Sequence, residues 1–471
     1  MERYLLPVDA PQNPKPSRRP RWGRSVLELD GRISSRYRHE TSQLILDSYA
    51  EVGTFGHHYS IGFDMCPTHM TLLANAVNQD EPISSLRAGI SGLEFDSKGI
   101  YLASVTKSGC LTVHDFESLY CTTYGPSSSS LEDEKKQLLH HSTSQPLGVV
   151  RWNPTNQDEV ACASRQGNKV PIFDIGYVSS EPIEVLEKGK PKNSRQDCER
   201  HIGLSDIIFP SVDKSRFFSS GLDGVVYGWD RRISPLPYLE LTNNSQTQLT
   251  SLQLDIEDRV VFAAGQNGII YAWDLRGGRT SLAFQSHNEV YYPLLASFKL
   301  SAMLERIAPL KAQLNIISRG IHSINFDPSC RHQLAFHLYD GWSGVLNLNS
   351  SSVTHVHCPP SWLDDQELSS APSDLRKPCW LPTSSIYTVG SSSSNGLYLL
   401  DFFPDASSAC HVDFNEEVLD NADENKRTVR NRFLPLSQSV LVCAAHPLNG
   451  TIIAGTKDSS LLLVSQKHEN V

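Results

Sequence analysis

Short apolar stretches recur along most of the chain, and turns rich in Gly, Asp, Asn and Ser separate them. Within a stretch, apolar positions alternate with small or polar ones, which is the period of a β-strand whose side chains point to opposite faces. In the segment 217–232 (FFSSGLDGVVYGWDRR), for example, Val225, Tyr227 and Trp229 fall on one face of a strand. The pattern predicts an all-β fold of short strands joined by tight turns.

One unit repeats along the chain. It consists of an apolar strand, a second strand that ends in small residues, a turn holding Asp, Asn or Gly, and a third strand that ends before Asp. The segment 261–276 (VFAAGQNGIIYAWDLR) follows the same order as 217–232, and Trp229 and Trp273 lie 44 residues apart. The chain holds seven such units between residues 88 and 466. The weaker copies end at His114-Asp115, Phe173-Asp174, Leu348-Asn349, Leu400-Asp401 and Val464-Ser465.

These segments resemble the WD40-repeat family, in which units recur every ~40–45 residues. The resemblance implies a seven-bladed WD40-type β-propeller, because one unit cannot bury both faces of its sheet whereas a closed ring can. It also implies a role in binding proteins. The Gly-His pair and the buried His-Asp relay of strong WD40 repeats are mostly missing, and the candidates His201 and His322 do not follow the usual spacing cleanly. Blades 5 and 6 are therefore the least well-defined units.

Closure of the ring can be predicted by counting strands. The final unit offers three strands, and the residues that follow it, 466–471, are polar. An uncovered third strand would leave a row of backbone groups unpaired, which natural sheets avoid. The missing strand must come from 58–65 (HYSIGFDM) or 70–77 (MTLLANAV), and the second is the more apolar and nearer to blade 1. We therefore expect a propeller at 55–471 that a segment near 58–77 closes.

Residues 1–54 are predicted to form a partly disordered basic arm with a short helix. Arg18, Arg19, Arg21 and Arg24 cluster around Trp22. This cluster favours a solvated arm, and a nuclear-import signal is an open alternative. The net charge of the whole chain is −10, which argues against general affinity for nucleic acid, so any contact with nucleic acid is expected to be indirect.

The sequence also limits the cellular compartments in which the protein is expected. No apolar run approaches the ~20 residues of a membrane helix, and the N-terminal residues do not have the pattern of a secretion signal. The ten cysteines include no C-x-x-C pair, which favours free thiols in a reducing compartment over a zinc site. We expect the nucleus, the cytoplasm or both, and no membrane association.

Four loops between the predicted strands are long: 121–143, 181–200, 284–316 and 404–436. In the third, Leu300, Met303, Leu304 and Ile307 have the spacing of a short amphipathic helix. These loops are either solvated decoration or partner contacts, and the helical one is the first candidate for a contact.

No motif in the sequence points to catalysis or to a cofactor. Phosphate-binding, dinucleotide-binding, metalloprotease and nucleophile-elbow motifs are all missing. HVHC at 355–358 places two histidines on one strand face, but no third ligand is evident, so an exposed strand end is the favoured interpretation. The doublets His57-His58 and His140-His141 are interpreted as surface loops. The chain is therefore predicted to be no enzyme, with no catalytic residue, metal or cofactor.

Two successive units end in W-D-x-R, at Trp229-Asp230-Arg231-Arg232 and at Trp273-Asp274-Leu275-Arg276. The pair resembles the double D-x-R box of substrate receptors for the cullin-four RING ubiquitin ligases. The resemblance implies that Asp230 with Arg232, and Asp274 with Arg276, dock on the damaged-DNA-binding adaptor of that ligase. It also implies a second adaptor contact through a helical element before the propeller, for which the segment 41–52 is the candidate.

Three functions are open at this point. The chain could be a ligase receptor with an unknown substrate, a scaffold subunit of a multiprotein complex, or a nuclear peptide or chromatin reader. The Asp of each box could also simply cap the following turn, with the Arg paired to it locally. The receptor requires both arginines to be exposed on one rim, whereas the reader requires a ring of acidic or aromatic residues at the mouth of the central channel.

Overall fold

The structure is a computed structural model. It describes residues 68–75, 89–116, 119, 137–177, 180–189, 203–243, 247–276, 279–280, 290–311, 319–358, 375–382, 385–391, 394–402, 410–413, 431–448 and 451–466. The predicted arm with its helix at 41–52, the boundary at residue 54, the doublet His57-His58 and the relay candidate His201 lie outside the described residues. They stay predictions.

The first described strand along the chain, β1 (Thr68–Asn75), belongs to the last of seven blades. The following strands form four-stranded antiparallel blades in which neighbours in sequence are hydrogen-bonded. Blade 1 consists of β2 (Ile90–Phe95), β3 (Tyr101–Thr106), β4 (Cys110–Asp115) and β5 (Gln137–Ser142). Blade 2 consists of β6 (Val149–Asn153), β7 (Asn156–Ala163), β8 (Lys169–Asp174) and β9 (Glu184–Glu187). Blade 3 consists of β10 (Leu204–Ile208), β11 (Arg216–Gly221), β12 (Val225–Asp230) and β13 (Leu239–Thr242).

Blade 4 consists of β14 (Leu249–Leu254), β15 (Val260–Gly265), β16 (Ile269–Asp274) and β19 (Leu294–Lys299), with a hairpin of β17 (Arg279–Thr280) and β18 (Val290–Tyr291) before β19. Helices α1 (Leu300–Leu304) and α2 (Ala308–Lys311) lead to blade 5. Blade 5 consists of β20 (Ile321–Phe326), β21 (Gln333–Leu338), β22 (Ser343–Asn347) and β23 (Ser352–His357). Blade 6 consists of β24 (Cys379–Trp380), β25 (Ile386–Gly390), β26 (Gly396–Asp401) and β28 (Arg432–Pro435). Blade 7 consists of β29 (Val440–Ala445), β30 (Ile452–Thr456), β31 (Ser460–Gln466) and β1.

The architecture is the predicted seven-bladed β-propeller. The first strands of most neighbouring blades contact one another around the central axis. Because strands within a blade alternate in direction, the loops from first to second strand and from third to fourth strand emerge on one face of the ring. We call this the D-x-R face, because both D-x-R boxes follow third strands. No described helix is long and apolar enough to cross a membrane.

The hydrophobic core is divided into seven clusters, and each cluster lies between two neighbouring blades. Trp229 and Phe217 of blade 3 pack against blade 2 with their rings parallel and 4.9 Å apart. Trp273 of blade 4 packs in the same way against blade 3. As the alternation in the sequence predicts, Val225, Tyr227 and Trp229 face one neighbour, whereas Val226 faces the other. The apolar faces of each blade are therefore covered by its neighbours.

The turns between second and third strands in blades 3 and 4 follow the sequence closely. Gly224 and Gly268 have φ angles of 83° and 75°, a left-handed conformation that glycine adopts without strain. A hydrogen bond also joins each turn to the third strand that follows it. In blade 3, the hydroxyl of Tyr227 donates to Asp223 Oδ2 at 2.6 Å. In blade 4, Asn267 Nδ2 donates to the hydroxyl of Tyr271 at 2.7 Å. A hydrogen bond between the tyrosine of the third strand and the turn before it is thus present in both blades.

The interpretation of the four long loops was wrong in part, because each of them contains the fourth strand of a blade. These strands are β5, β9, β19 and β28. A fourth strand lies at the outer edge of its blade and needs fewer apolar residues; the side chains of β19, for instance, alternate between exposed and half-buried. Only Leu300–Leu304 and Ala308–Lys311 of the predicted amphipathic segment are helical, and Leu300 and Leu304 pack in the cluster between blades 4 and 5.

Two interpretations of histidines were also wrong. His355 and His357 do not lie at an exposed strand end: both are buried in β23, where β27 (His411–Asp413) from the long loop of blade 6 pairs with them as a parallel fifth strand. His140 and His141 do not lie in a loop but in β5, where His140 Nδ1 is 3.1 Å from Thr112 Oγ1. Among the described residues, no group of three or more His, Cys, Asp or Glu side chains could hold a metal ion.

The ring is closed by the ladder expected from the strand count. β1 pairs antiparallel with β31, from Thr68 opposite Gln466 to Asn75 opposite Ser460, and it becomes the fourth strand of blade 7. The outer edge of β31 is therefore hydrogen-bonded. Blade 7 in turn packs on blade 1 through a cluster that includes Ile90 and Leu463.

We expect the loss of β1 to destabilise the whole ring. A variant without residues 1–76 loses a ladder whose hydrogen bonds each contribute roughly 0.5–1.5 kcal/mol, and its melting temperature should fall by at least ~5 °C. A variant without residues 1–67 keeps β1 and is the matched control. Thermal unfolding of both, followed by circular dichroism, tests this, and equal melting temperatures would contradict the closing role of β1.

A second prediction concerns His114, which is buried in β4 with no hydrogen-bond partner for either ring nitrogen among the described residues. Burial, followed by the nearby His140, lowers the pKa of His114 to about 4, whereas the unfolded chain keeps the usual value of 6.5. Its stabilising contribution is therefore complete above the unfolded value and is lost as the pH falls from there towards 4. From pH ~7.5 to ~5.5 the wild type should lose roughly 1 kcal/mol more stability than His114→Phe. Urea unfolding at both pH values measures this, and equal losses would show that His114 does not contribute.

Candidate protein-docking site

The two D-x-R boxes have the same geometry. In blade 3 the backbone N–H of Arg232 donates to Asp230 Oδ1 at 3.2 Å, and its guanidinium donates from Nε to Oδ1 at 2.8 Å and from Nη2 to Oδ2 at 2.7 Å. In blade 4 the same three bonds join Arg276 to Asp274 at 2.9, 3.0 and 2.8 Å. The sequence produces this geometry locally, because an Asp side chain readily accepts the N–H two residues on and the planar guanidinium matches a carboxylate in bidentate fashion.

The local pairing holds each arginine without covering it. The side chains of Arg232 and Arg276 are 56% and 60% exposed. Both residues follow the third strand of a blade, and the blades are adjacent, so both guanidiniums lie on the D-x-R face. The expected exposure of Arg232 and Arg276 is confirmed. The alternative, in which each arginine pairs locally with the aspartate of its box, is confirmed as well, because a paired arginine can still be exposed.

The carboxylates in both boxes stay charged over a wide pH range. Hydrogen bonds from Arg232, outweighing the effect of burial, hold the pKa of Asp230 well below its usual range, and Arg216 adds to the effect. Hydrogen bonds from Arg276 lower the pKa of Asp274 to about 2. Asp230 is nearly covered although it lies at the protein surface; the arginine side chains bonded to it account for this. Both aspartates therefore stay ionised and keep their hydrogen bonds to arginine at neutral pH.

Blade 3 contains a second arginine that the sequence analysis missed. Arg216 begins β11 directly opposite Asp230 in the ladder, and its Nε donates to Asp230 Oδ2 at 3.0 Å. Asp213 completes the group, 3.2 Å from Arg232 and 3.5 Å from Arg216. The position opposite Asp274 is Val260, so blade 4 lacks this bond. The hairpin register, which pairs the last residue of the third strand with the first residue of the second, was the signal that could have found Arg216.

Arg231, the other arginine of the W-D-R-R sequence, has a structural role. Arg231 reaches back to blade 2, where Nη1 is 2.8 Å from Glu159 and Nε is 2.6 Å from Glu184. Its side chain is mostly buried. Arg231 therefore joins two blades and is not available for a partner.

Exposed apolar side chains surround the boxes. Val212, Ile233 and Ile256 are 82%, 72% and 58% exposed, and each lies in a loop of the D-x-R face in blade 3 or 4. A bond between Asp258 and the backbone and hydroxyl of Ser211, both at 2.7 Å, holds two of these loops together. We call Asp230, Arg232, Asp274 and Arg276, together with these three apolar residues, the blade 3–4 rim. Exposed apolar groups next to fixed charges are typical of protein-binding surfaces.

Exposed apolar residues are concentrated in this part of the ring. Ten large apolar side chains are exposed among the described residues, and all except Leu72 belong to blades 2 to 4. Those outside the rim include Val185 of β9 and Leu294 and Leu295 of β19, on the outer edges of blades 2 and 4. The outer surface of these blades therefore extends the apolar character of the rim.

Comparisons with known proteins show the fold but no family. No family model and no curated protein matches the chain. Many solved structures share its fold. One is a chain in the crystal structure of the mitotic checkpoint complex, which is 11% identical, with a TM-score of 0.53 over 87% of this chain and 94% of that chain. At this identity the likeness shows a shared propeller fold alone.

The difference between the boxes leads to a prediction about stability. Asp230 accepts bonds from arginines of two separate segments, whereas Asp274 binds one arginine two residues away. Asp230→Asn should therefore cost about 1 kcal/mol more than Asp274→Asn, because it weakens one further charge-assisted hydrogen bond. Urea unfolding of both variants measures the difference, and equal costs would mean that Arg216 contributes nothing through Asp230.

Proposed function

We propose that this chain is a protein-interaction platform that docks through the blade 3–4 rim on the damaged-DNA-binding adaptor of a cullin-four RING ubiquitin ligase, as a substrate receptor. A seven-bladed propeller of the WD40 type fits a protein-interaction platform, since such propellers typically bind proteins. One observation supports the finer step. Two exposed guanidiniums on adjacent blades are held in the same orientation by their own aspartates.

Fixed guanidiniums suit a docking surface for a physical reason. A long side chain normally loses rotamer freedom when it binds, which weakens association. Asp230 and Asp274 have already ordered Arg232 and Arg276, so this cost is reduced. The contacts use Nε and Nη2, and no contact of Nη1 is seen among the described residues. Nη1 can therefore donate to a partner while the bidentate pair stays intact.

The proposal includes a binding role without catalysis, and a location in the nucleus or the cytoplasm. The substrate would bind elsewhere on the ring, where the rim leaves the surface free.

A scaffold subunit of a multiprotein complex is the second candidate. The exposed side chains of Val185, Leu294 and Leu295 favour it, because they lie on outer strands and not in the D-x-R turns. A partner seated there would not need either box. The two functions therefore differ in which residues they require.

The double variant Arg232→Ala/Arg276→Ala tests the receptor function. The variant loses the hydrogen bonds to Asp230 and Asp274, so its melting temperature should fall by a few degrees while the ring stays folded, whereas affinity for the adaptor should fall about thirtyfold or more, as for truncation of interface hot spots. Arg259→Ala is the matched control, because Arg259 is an exposed arginine on the same face whose partner, Glu257, is not part of a box. Co-purification of the adaptor with each variant gives the measurement. Undiminished recovery of the adaptor with the double variant would overturn the receptor function and leave the scaffold.

A further inference from the structure

The central channel of the ring has an uneven distribution of charge. A cavity of about 330 Å³ runs between the first strands. On its wall Arg151 binds two carboxylates, with Nη2 3.0 Å from Asp206 and Nη1 3.6 Å from Glu94. Lys377, from the segment before β24, also lines the cavity and donates a hydrogen bond to the carbonyl of Gly148. Both carboxylates of this group are thus already engaged by Arg151.

More positive charge lies where the channel opens on the face opposite to the D-x-R face. We define the channel mouth as Arg165, His322, Tyr339, Arg376 and Lys377; His322 and Lys377 line the cavity itself, and the other three lie beside them in the loops of that face. His322 packs edge-on against Tyr339 at 4.1 Å, and His322 Nδ1 accepts the backbone N–H of Arg376 at 3.3 Å. Arg165, in the turn after β7, packs against Gly148: its Cγ is 3.5 Å from the position that a Cβ on Gly148 would take. Lys377 donates its hydrogen bond to the carbonyl of the same glycine, so Arg165 and Lys377 are close neighbours.

The described carboxylates neutralise this group only in part, because Asp206 and Glu94, which attract Lys377, are both paired with Arg151. Asp340, the nearest acid in the turn after Tyr339, is paired with Arg319 at 3.6 Å. Arg165 forms no ion pair with any described residue, and its Nη1 is buried with no hydrogen-bond partner among them. A buried cation without a counter-charge is unfavourable.

The titration behaviour of the mouth agrees with an excess of positive charge. Burial lowers the pKa of Arg165. Burial also lowers the pKa of Lys377 to about 8; Asp206 and Glu94 oppose this shift, whereas the cations Arg151 and Arg165 add to it. His322 has a pKa well below its usual value because of burial first, then His337, Arg376 and Arg165. Deep in the ring, burial raises the pKa of Glu94 to about 7, although Arg151 and the backbone N–H of Trp152 oppose this shift.

We propose that the channel mouth binds an acidic side chain, a carboxylate or a phosphate, of a partner protein segment, and that Arg165 is its main anchor. The anion would give the buried Nη1 of Arg165 an acceptor and supply the missing counter-charge. A protein segment suits the site better than a nucleic-acid polyanion, because the chain carries a net charge of −10 and the basic residues form one compact group. A reader of basic peptides would need acidic or aromatic residues here, whereas the five described residues of the mouth include one tyrosine, Tyr339, and no carboxylate.

This site is independent of the proposed adaptor docking. The mouth and the blade 3–4 rim lie on opposite faces of the ring, so one protein can occupy each at the same time. The two proposals also depend on different arginines, and either can fail without the other.

Fluorescence anisotropy at fixed ionic strength tests the proposal with three labelled peptides of equal length: hexaglutamate, a phosphoserine peptide and hexaserine. We expect one or both acidic peptides to bind and hexaserine not to bind; which of the two binds distinguishes carboxylate from phosphate. Arg165→Met, which keeps the apolar stem without the charge, should weaken binding about tenfold or more, the effect of losing a hydrogen bond to a charged group. Arg259→Met, on the other face, should bind as the wild type does.

Thermal unfolding of the peptide-free proteins separates binding from structure. An uncompensated buried charge destabilises the fold, so Arg165→Met should melt at the same temperature as the wild type or higher. A lower melting temperature would assign Arg165 a structural role and overturn the proposal. Equal binding of all three peptides, or equal affinity of Arg165→Met and the wild type for the acidic ones, would overturn it too. Arg232→Ala/Arg276→Ala should keep the peptide affinity of the wild type, which keeps this result separate from the adaptor test.

Discussion

Each blade of this propeller has two apolar faces, and no blade can cover both faces itself. The seven clusters of the core all lie between neighbours, so burial of apolar surface, the main favourable term in folding, is obtained only when the ring is complete. This constraint accounts for β1. A ring with an open blade 7 would expose both an unpaired strand edge and an apolar interface, and the pairing of β1 with β31 covers that edge.

Hydrogen bonds between neighbouring blades fix how the blades are aligned with one another. Trp152 of blade 2 donates its backbone N–H to Glu94 Oε2 at 2.6 Å and its indole N–H to the Glu94 carbonyl at 3.1 Å. Between blades 3 and 4, Asp206 accepts the backbone N–H of Leu252 at 3.0 Å. Such bonds are directional, whereas apolar contacts are not. They therefore favour one alignment of neighbouring blades and fix the height at which each loop emerges on either face.

The two faces of the ring make different use of arginine. On the D-x-R face, Arg232 and Arg276 each have a carboxylate that keeps them charged and ordered while exposed. At the channel mouth, Arg165 is largely enclosed and has no carboxylate among the described residues. The first arrangement presents preorganised donors to a surface that arrives from outside, and the second leaves a charge that a ligand can neutralise. The alternating strand directions of a blade separate the two arrangements onto opposite faces.

The sequence by itself determined what depends on near neighbours in the chain. Alternation identified the first three strands of every blade, W-D-x-R identified both boxes, and the strand count identified the closing segment. The tertiary structure decided what depends on distant partners. The fourth strands were hidden because their side chains face solvent on one side. His355 and His357 are buried because blade 6 packs against them, with the rings of Phe402 and Tyr398 at 5.7 and 5.0 Å. Arg216 joins a box through hairpin register, and Arg165 meets Lys377 only because the ring brings blades 2 and 6 to one channel. Charge balance at such a site is a sum over residues far apart in sequence, and no local pattern encodes it.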